Sequence, residues 1–151
     1  MHVPVAVDAS ASIYEAISDL LDLHPTARSE LDLAARVEEG LPATVVARLR
    51  GGAGLDDAEI SALIGNPRTL TRRRVHCQPL SIGESERAVR IARISVLARE
   101  TFAARPDYAL EWLRTPKRAL NDRAPLAAAA TDPGARAVEE LLVSLQEGMF
   151  G

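Results

Sequence analysis

Several residue types are scarce in this sequence, and each shortage narrows the choice of fold and function. The single cysteine, Cys77, leaves no pair for a disulfide framework and too few thiolates for a zinc site within one chain. No apolar run approaches the roughly 20 residues of a membrane-spanning helix, and Met1-His2 begins no charged and apolar leader, so we expect a cytoplasmic protein. Aromatic residues make up only 3% of the chain, and the one tryptophan, Trp112, is more typical of a core than of a binding site.

Side chains that carry enzyme chemistry are also few and far apart. The histidines His2, His24 and His76 form no H-x-x-x-H pair, so a metal site has no support. Cys77 follows His76 directly, but neighbours on a helix point about 100° apart and make no catalytic dyad. A lone cysteine is more typical of a small buried residue. The glycine-rich stretch 51–54 lacks the lysine of a phosphate-binding loop, so we predict no catalytic residue, metal, cofactor or small-molecule substrate.

Three residue types dominate the composition. The chain contains 26 Ala, 19 Leu and 17 Arg among its 151 residues. All three favour the helix, so the composition predicts an all-α fold. With 47% hydrophobic and 26% charged residues, the chain has an ordinary globular make-up and enough length for one or two small domains.

Charge is distributed unevenly along the chain, although the net charge is only −3. Residues 1–64 carry a net charge of −7, residues 65–123 carry +7, and residues 124–151 carry −3. A local basic excess can bind a polyanion even when the whole protein is acidic. The alternative is a solvated helical face, and charge alone does not decide between the two.

Apolar periodicity and capping residues divide the sequence into helices; the capping residues include capping boxes at Asp56–Glu59 and Ser81–Glu84 and an N-cap at Asn66. Residues 2–11 alternate weakly and predict an arm or a short strand. Gly51-Gly52 are expected to end the third helix, and Asp132 and Gly148 to cap and end the last one. Two of the predicted helices begin at Ser12 and near Pro42. The others span residues 29–39, 56–64, 67–77, 81–103, 106–113 and 133–146.

A tight Gly65-Asn66 turn joins the helices at 56–64 and 67–77. The lengths of the two helices and the short glycine-containing turn between them are typical of a helix-turn-helix. No acid occurs between Gly65 and Leu80, so ion pairing of the arginines in the second helix is not expected. A recognition helix places such side chains on phosphates and base edges. The predicted DNA-contacting residues are Arg68, Thr69, Thr71, Arg72, Arg73 and Arg74.

Two further segments leave alternatives open. The helix at 81–103 has two apolar seams, so it either joins two subdomains or contacts a second copy of the chain. The apolar end Met149-Phe150-Gly151 either folds back on the domain or docks in a partner. The residues alone do not choose between these alternatives.

A series of short blocks in the sequence occurs in a characteristic order. It begins with Asn66–Arg74 and Leu80–Arg93 and continues through Ala109–Pro116, which contains a Trp-Leu-x-x-Pro motif. This order resembles the Xre/MbcA/ParS antitoxins, and the resemblance covers residues 29–151. The later blocks are Pro125-Leu126, Thr131-x-x-Gly134, and Val138–Leu142 followed by Glu147-Gly148.

The resemblance implies a type II antitoxin, not an enzyme, that acts as a homodimer within a toxin–antitoxin complex. Its implied partners are a RES-domain toxin, which consumes NAD or uses it to modify a protein, and operator DNA, through which it represses its own operon. The implied regions are an N-terminal extension at 1–28, an Xre-like helix-turn-helix region at 29–103, and a toxin-binding domain at 104–151 that occludes the toxin's NAD pocket. The implied toxin-binding residues are Trp112, Leu142, Leu145, Gly148, Met149, Phe150 and Gly151.

The sequence departs from the family's pattern at two places. Asn121-Asp122 stand where the family has a glycine-containing turn, and both residues tolerate left-handed geometry, so we expect the turn to survive. Ala128-Ala129 stand where the family tends to have paired leucines, which removes apolar bulk from the packing.

Two other functions are compatible with the residues. The first is a helix-turn-helix transcription regulator whose C-terminal domain senses a small molecule or binds another protein. The scarcity of pocket-forming aromatics disfavours the sensing version. The second is a helical adaptor that binds no DNA, and a salt-dependent DNA titration separates it from the antitoxin.

Overall fold

The computed structural model describes the backbone of residues 9–103 and 105–150 and the side chains of residues 13–103 and 105–148. Across these residues the regular structure is helical, and the one extended feature is an isolated bridge between Lys117 and Arg123. The predicted all-α class is therefore confirmed. The helices are α1 (Ala9–Leu21), α2 (Glu30–Glu39), α3 (Val45–Ala53), α4 (Asp57–Leu63), α5 (Pro67–Val75), α6 (Ile82–Thr101), α7 (Pro106–Arg114), α8 (Pro125–Ala128) and α9 (Asp132–Phe150), with a 3-10 turn at Arg118–Leu120.

Helix α6 lies at the centre of the fold. The structure buries both of its apolar seams, and Ile91, Ala92 and Ala98 are at most 1% exposed. Helices α1, α2, α3, α4, α7 and α9 pack against α6 within the same chain. Of the two roles predicted for this helix, the seams therefore serve to join the N-terminal and C-terminal helices.

The N-terminal helix α1 belongs to the same core. It begins at Ala9, so the end of the predicted arm or strand is helical instead, and residues 1–8 of the arm lie outside the described residues. Ile17 and Leu21 are at most 1% exposed because α1 packs against α3 and α6. The Ser18 hydroxyl accepts a hydrogen bond from the Ala27 amide at 3.0 Å and fixes the connection toward α2.

Helix α3 does not end at Gly51-Gly52, and that prediction is wrong. The helix continues to Ala53, and Gly54 ends it with a left-handed backbone (φ 79°, ψ 18°). In this conformation the Gly54 amide donates to the Arg50 carbonyl at 3.1 Å. A glycine inside a helix costs only about 1 kcal/mol, so packing against α1 and α6 is enough to keep both glycines helical.

Helix α9 differs from its prediction at both ends. Its N-cap is Thr131 rather than Asp132, since the Thr131 hydroxyl accepts from the Gly134 amide at 3.2 Å. Gly148 does not end the helix, because the backbone stays helical to Phe150. The chain therefore carries a C-terminal helix about one turn longer than the periodicity predicts.

The two departures from the family's pattern are accommodated locally. Asn121 and Asp122 have φ angles of 56° and 61°, which confirms that the turn survives through left-handed residues. Ala128 and Ala129 are at most 5% exposed, so the smaller side chains are packed. A Cβ on Gly134 would overlap the Ala128 carbonyl oxygen, which shows that small residues let α8 and α9 approach closely.

Candidate nucleic-acid and protein interfaces

Helices α4 and α5 form the two short, tightly joined helices that the sequence predicts. A capping box starts α4: the Asp56 carboxylate accepts from the Glu59 amide at 2.8 Å, and the Glu59 carboxylate accepts from the Asp56 amide at 2.9 Å. The Asn66 side chain accepts from the Arg68 amide at 2.9 Å and starts α5. Both predicted caps are therefore confirmed, and the Asn66 cap fixes the start of α5 at the turn between the two helices.

Helix α5 lies on the surface with its basic side turned to solvent. Leu70 is its one buried residue and anchors it to α4. The helix ends at Val75, two residues before the predicted end at Cys77, and Val75 itself is 64% exposed. Helix α5 contains no acidic residue. The structure leaves five of the predicted DNA contacts exposed or half-buried: Arg68, Thr69, Thr71, Arg72 and Arg74.

Arg73 is the exception, and the prediction of an unpaired arginine cluster is wrong there. Its Nε lies 2.7 Å from Glu84 Oε1, and the two side chains are 23% and 8% exposed. The acid comes from α6, beyond the stretch in which the sequence has none, so inspection of α5 and its flanks could not find it. The contact is an ion pair rather than an aligned hydrogen bond. Arg73 thus holds α5 against α6 instead of facing outward.

Glu84 belongs to a second capping box, with Ser81 at the start of α6, as the sequence predicts. Ser81 Oγ accepts from the Glu84 amide at 3.1 Å, and Glu84 Oε1 accepts from the Ser81 amide at 2.8 Å. Burial opposes ionisation of this carboxyl, but the Ser81 amide and the Arg73 guanidinium outweigh burial and hold its pKa below the ordinary value. One carboxylate therefore caps α6 and anchors α5.

The turn between α4 and α5 has its own support from α6. Arg87 Nε donates to the Ile64 carbonyl at 2.8 Å. This carbonyl lies at the end of α4, where helix carbonyls lack partners within the helix. This hydrogen bond and the ion pair of Arg73 together hold α4 and α5 against the first turns of α6.

An ion pair also links α4 to α7, which lies in the C-terminal part of the chain. Arg114 reaches Glu59 through Nη2 at 2.7 Å and Nε at 3.0 Å, and Nη2 also donates to the Gly54 carbonyl at 3.0 Å. The hydrogen bonds to Glu59 raise the pKa of Arg114 above its ordinary value. Since Glu59 caps α4, the same carboxylate connects the helix pair to the C-terminal helices.

Two of the residues predicted to bind a toxin lie in the core. Leu142 is 0% exposed and Trp112 is 7% exposed, so both are wrong as surface contacts. Trp112 packs against Phe102, with ring centroids 5.5 Å apart, and the Lys117 ammonium lies 5.1 Å from its ring centroid. Leu142 belongs to the apolar stripe with which α9 faces the core. Both residues therefore stabilise the domain from inside.

The remaining predicted toxin contacts lie toward the end of α9. Leu145 is half-buried and Gly148 is exposed. Met149 and Phe150 have helical backbones, but their side chains and all of Gly151 lie outside the described residues. These residues stay a prediction.

The outer side of α9 carries an apolar residue that the sequence analysis missed. Val143 is 45% exposed and lies in a shallow acidic groove of the same helix. Its position directly after buried Leu142 places it off the core stripe, and this offset is the signal that could have identified it. The groove is lined by Arg136, Glu139, Glu140, Val143, Ser144 and Glu147.

Neither a metal site nor a membrane span occurs among the described residues. No group of three or more His, Cys, Asp or Glu is placed to hold a metal ion in that part of the chain. None of the helices in the described ranges has the length and apolar character to cross a membrane. Cys77 is exposed beyond the end of α5, where a buried residue was expected.

These features define a class: an all-helical protein with a helix-turn-helix and a second, C-terminal helical region that share one central helix. The profile of the antitoxin Xre-like helix-turn-helix domain matches residues 32–93. The profile of the antitoxin Xre/MbcA/ParS C-terminal toxin-binding domain matches residues 97–148.

Curated relatives agree with these matches. A protein named Antitoxin Xre from Yersinia enterocolitica is 33% identical over 119 residues, which is 78% of this chain and 80% of the relative. An Antitoxin Xre from Pseudomonas putida is also 33% identical, over 85% of this chain and 79% of the relative. A third, from Photorhabdus laumondii, is 28% identical over 78% of this chain and 80% of the relative. The chain belongs to the Xre antitoxin family, which confirms the resemblance found in the sequence.

Proposed function

We propose that the chain neutralises a RES-domain toxin by covering the toxin's NAD pocket with its C-terminal region, and that it represses its own operon by binding operator DNA. The observation that carries the DNA-binding half is helix α5, a surface helix with exposed arginines, one buried anchor and no acid. Membership of the antitoxin family supports the toxin-binding half.

The arginines of α5 have different roles in this proposal. Arg73 forms an ion pair with Glu84 and holds α5 in place on the side that faces α6. The other arginines are free to bind phosphates or base edges, and the two threonines add short hydroxyl contacts. The proposed DNA-facing set is Arg68, Thr69, Thr71, Arg72 and Arg74.

The proposed toxin-facing surface is the outer side and the last turns of α9. Val143 supplies apolar contact area on the outer side, and acidic side chains of the same helix border it. Leu145 lies two positions further, on the side that packs against the core, and contributes only its exposed part. Small desolvated apolar contacts within a polar rim are typical of tight protein interfaces. Because α9 stays helical to Phe150, a helical end rather than an extended tail reaches the toxin. Gly148, Met149, Phe150 and Gly151 complete the proposed surface.

The assembly we propose is a homodimer within a toxin–antitoxin complex in the cytoplasm, where operator and toxin are both found. The chain acts by binding and catalyses no reaction itself. Its proposed regions are the extension at 1–28, the helix-turn-helix region at 29–103 and the toxin-binding domain at 104–151. The extension is not a separate unit in this proposal, since α1 packs on α3 and α6.

Operator binding is tested by titrating the DNA upstream of the chain's own reading frame at several salt concentrations, with and without toxin. Arg72→Ala should weaken binding and reduce the salt slope by about one, because one phosphate contact is lost. Arg73→Ala should leave the slope unchanged, since its guanidinium pairs with Glu84. Leu31→Ala, at a residue that is 82% exposed on α2, is the control and should change neither quantity. Absence of wild-type binding at low salt would exclude the DNA-binding half.

Toxin neutralisation is tested by co-expressing the chain with the RES-domain protein encoded beside it and following cellular NAD and growth. The wild type should prevent NAD loss. Deletion of residues 149–151 should restore toxicity while the protein stays folded by circular dichroism. Continued NAD loss with the wild type contradicts the proposed partner. Full protection by the shortened chain contradicts the role of the terminal residues.

A further inference from the structure

Helix α5 carries an apolar stripe beside its arginines. Val75 is 64% exposed, although a valine of a folded domain is usually buried. It follows Thr71, also exposed, by four residues, so the two side chains lie on one face of the helix. The stripe and the basic side chains form a shallow groove lined by Pro67, Arg68, Thr71, Arg72, Val75 and His76.

The charge around this stripe limits what can cover it. Arg68 and Arg72 are one turn apart, both are exposed, and the groove contains no acid. A DNA duplex meets both requirements, because phosphates border its major groove and thymine places an apolar 5-methyl group inside it. Threonine methyl groups and small aliphatic side chains are suited to contact that methyl group. Neither a purely apolar nor a basic partner would match the arginines.

We propose that Thr71 and Val75 contact thymine 5-methyl groups and thereby set part of the sequence preference of α5. The inference rests on the proposed DNA binding and adds the bases that the helix reads. Four residues of helix rise about 6 Å, which is close to two base-pair steps of about 3.4 Å. The two side chains therefore contact thymines about two steps apart.

The experiment uses duplexes that the wild-type chain selects from a random-sequence pool. Each selected duplex is resynthesised with uracil in place of one thymine at a time, which removes only the 5-methyl group. The wild type should bind about fourfold more weakly at two positions, because each replacement removes the burial of one methyl group. The two positions should lie about two steps apart.

Three variants assign the contacts. At one of the two sensitive positions, Val75→Ala should bind the duplex with thymine and the duplex with uracil equally tightly. Thr71→Ser should show the same loss of discrimination at the other position. Val75→Thr keeps a methyl group and should keep the discrimination. Because both positions are exposed, all variants should retain wild-type circular dichroism. Leu31→Ala again serves as the control.

Three outcomes overturn the proposal. Equal wild-type affinity for every thymine and uracil duplex shows that no methyl group is read. Uniform weakening of all duplexes by Val75→Ala, with a loss of dimer mass in light scattering, shows that Val75 contacts a second copy instead. Failure to enrich any duplex removes the proposed DNA binding itself and the inference with it, and this result is distinguishable from the first two.

Discussion

Adjacent residues on α9 give a sharp test of which side of the helix is structural. Leu142 is 0% exposed, whereas Val143 is 45% exposed. Truncation of a fully buried leucine removes its transfer energy and leaves a cavity, which costs about 2–5 kcal/mol. Truncation of an exposed side chain changes stability by about 0.5 kcal/mol or less. The two substitutions should therefore separate stability from binding.

For a domain of this length, 1 kcal/mol corresponds to about 2–4 °C in Tm. Leu142→Ala should thus lower Tm by about 6–12 °C for a cost of about 3 kcal/mol. Toxin affinity, measured by calorimetry well below the melting range, should stay close to the wild-type value because the side chain does not reach the surface. Val143→Ala should leave Tm unchanged and weaken toxin binding several-fold.

Two results would refute this reasoning. A Leu142→Ala protein that melts within 2 °C of the wild type, taken as roughly the effect of 0.5–1 kcal/mol, would show that Leu142 is not packed against α6 as described. Wild-type toxin affinity of Val143→Ala would show that the outer side of α9 is not the contact surface. Leu31→Ala, which is exposed and distant in sequence, should change neither quantity.

Three further predictions concern the connections between helices. Arg114→Ala should cost about 1 kcal/mol or less in urea unfolding, since the arginine is partly exposed. It should also speed exchange of the Asp56 amide, because Arg114 holds the Glu59 carboxylate that accepts from this amide. Gly134→Ala should lower stability by about 1–3 kcal/mol or more, because the added Cβ overlaps the Ala128 carbonyl; an unchanged melting curve would contradict the described approach of α8 and α9. The lowered pKa of Glu84 stabilises the folded state above the ordinary carboxyl range near pH 4.3, and this contribution is lost as the pH falls through the folded-state pKa. The stability difference between wild type and Glu84→Gln, followed by urea unfolding from pH 7 to pH 3, should therefore shrink at the acid end.

Local signals in the sequence predicted the fold well. The capping boxes of α4 and α6 and the left-handed turn at Asn121 depend on residues within three positions of each other, so they can be identified without a structure. The boundaries of α3 and α9 could not be predicted in this way. In α3, packing against α1 and α6 overrides the glycines that would end an isolated helix. In α9 the helix continues through exposed Gly148, whose surroundings show no packing that explains it.

The candidate sites were harder to predict because they depend on which side of a helix faces inward. The basic character of α5 is visible in the sequence, but the ion pair of Arg73 with Glu84 requires the first turn of α6 to lie against α5. Likewise, periodicity identifies the stripe that contains Leu142 but does not say whether that stripe faces the core or a partner. The family resemblance suggested the partner, and only burial separated the inward residues from the outward ones.

The position of α6 has a consequence for how the two proposed activities are lost. The helix pair and the C-terminal helices both pack against α6, so neither part has a separate hydrophobic core. Unfolding should then be a single cooperative event. A protease that opened the chain at either end would therefore abolish both proposed activities together, and under this proposal degradation could not lift repression without also freeing the toxin.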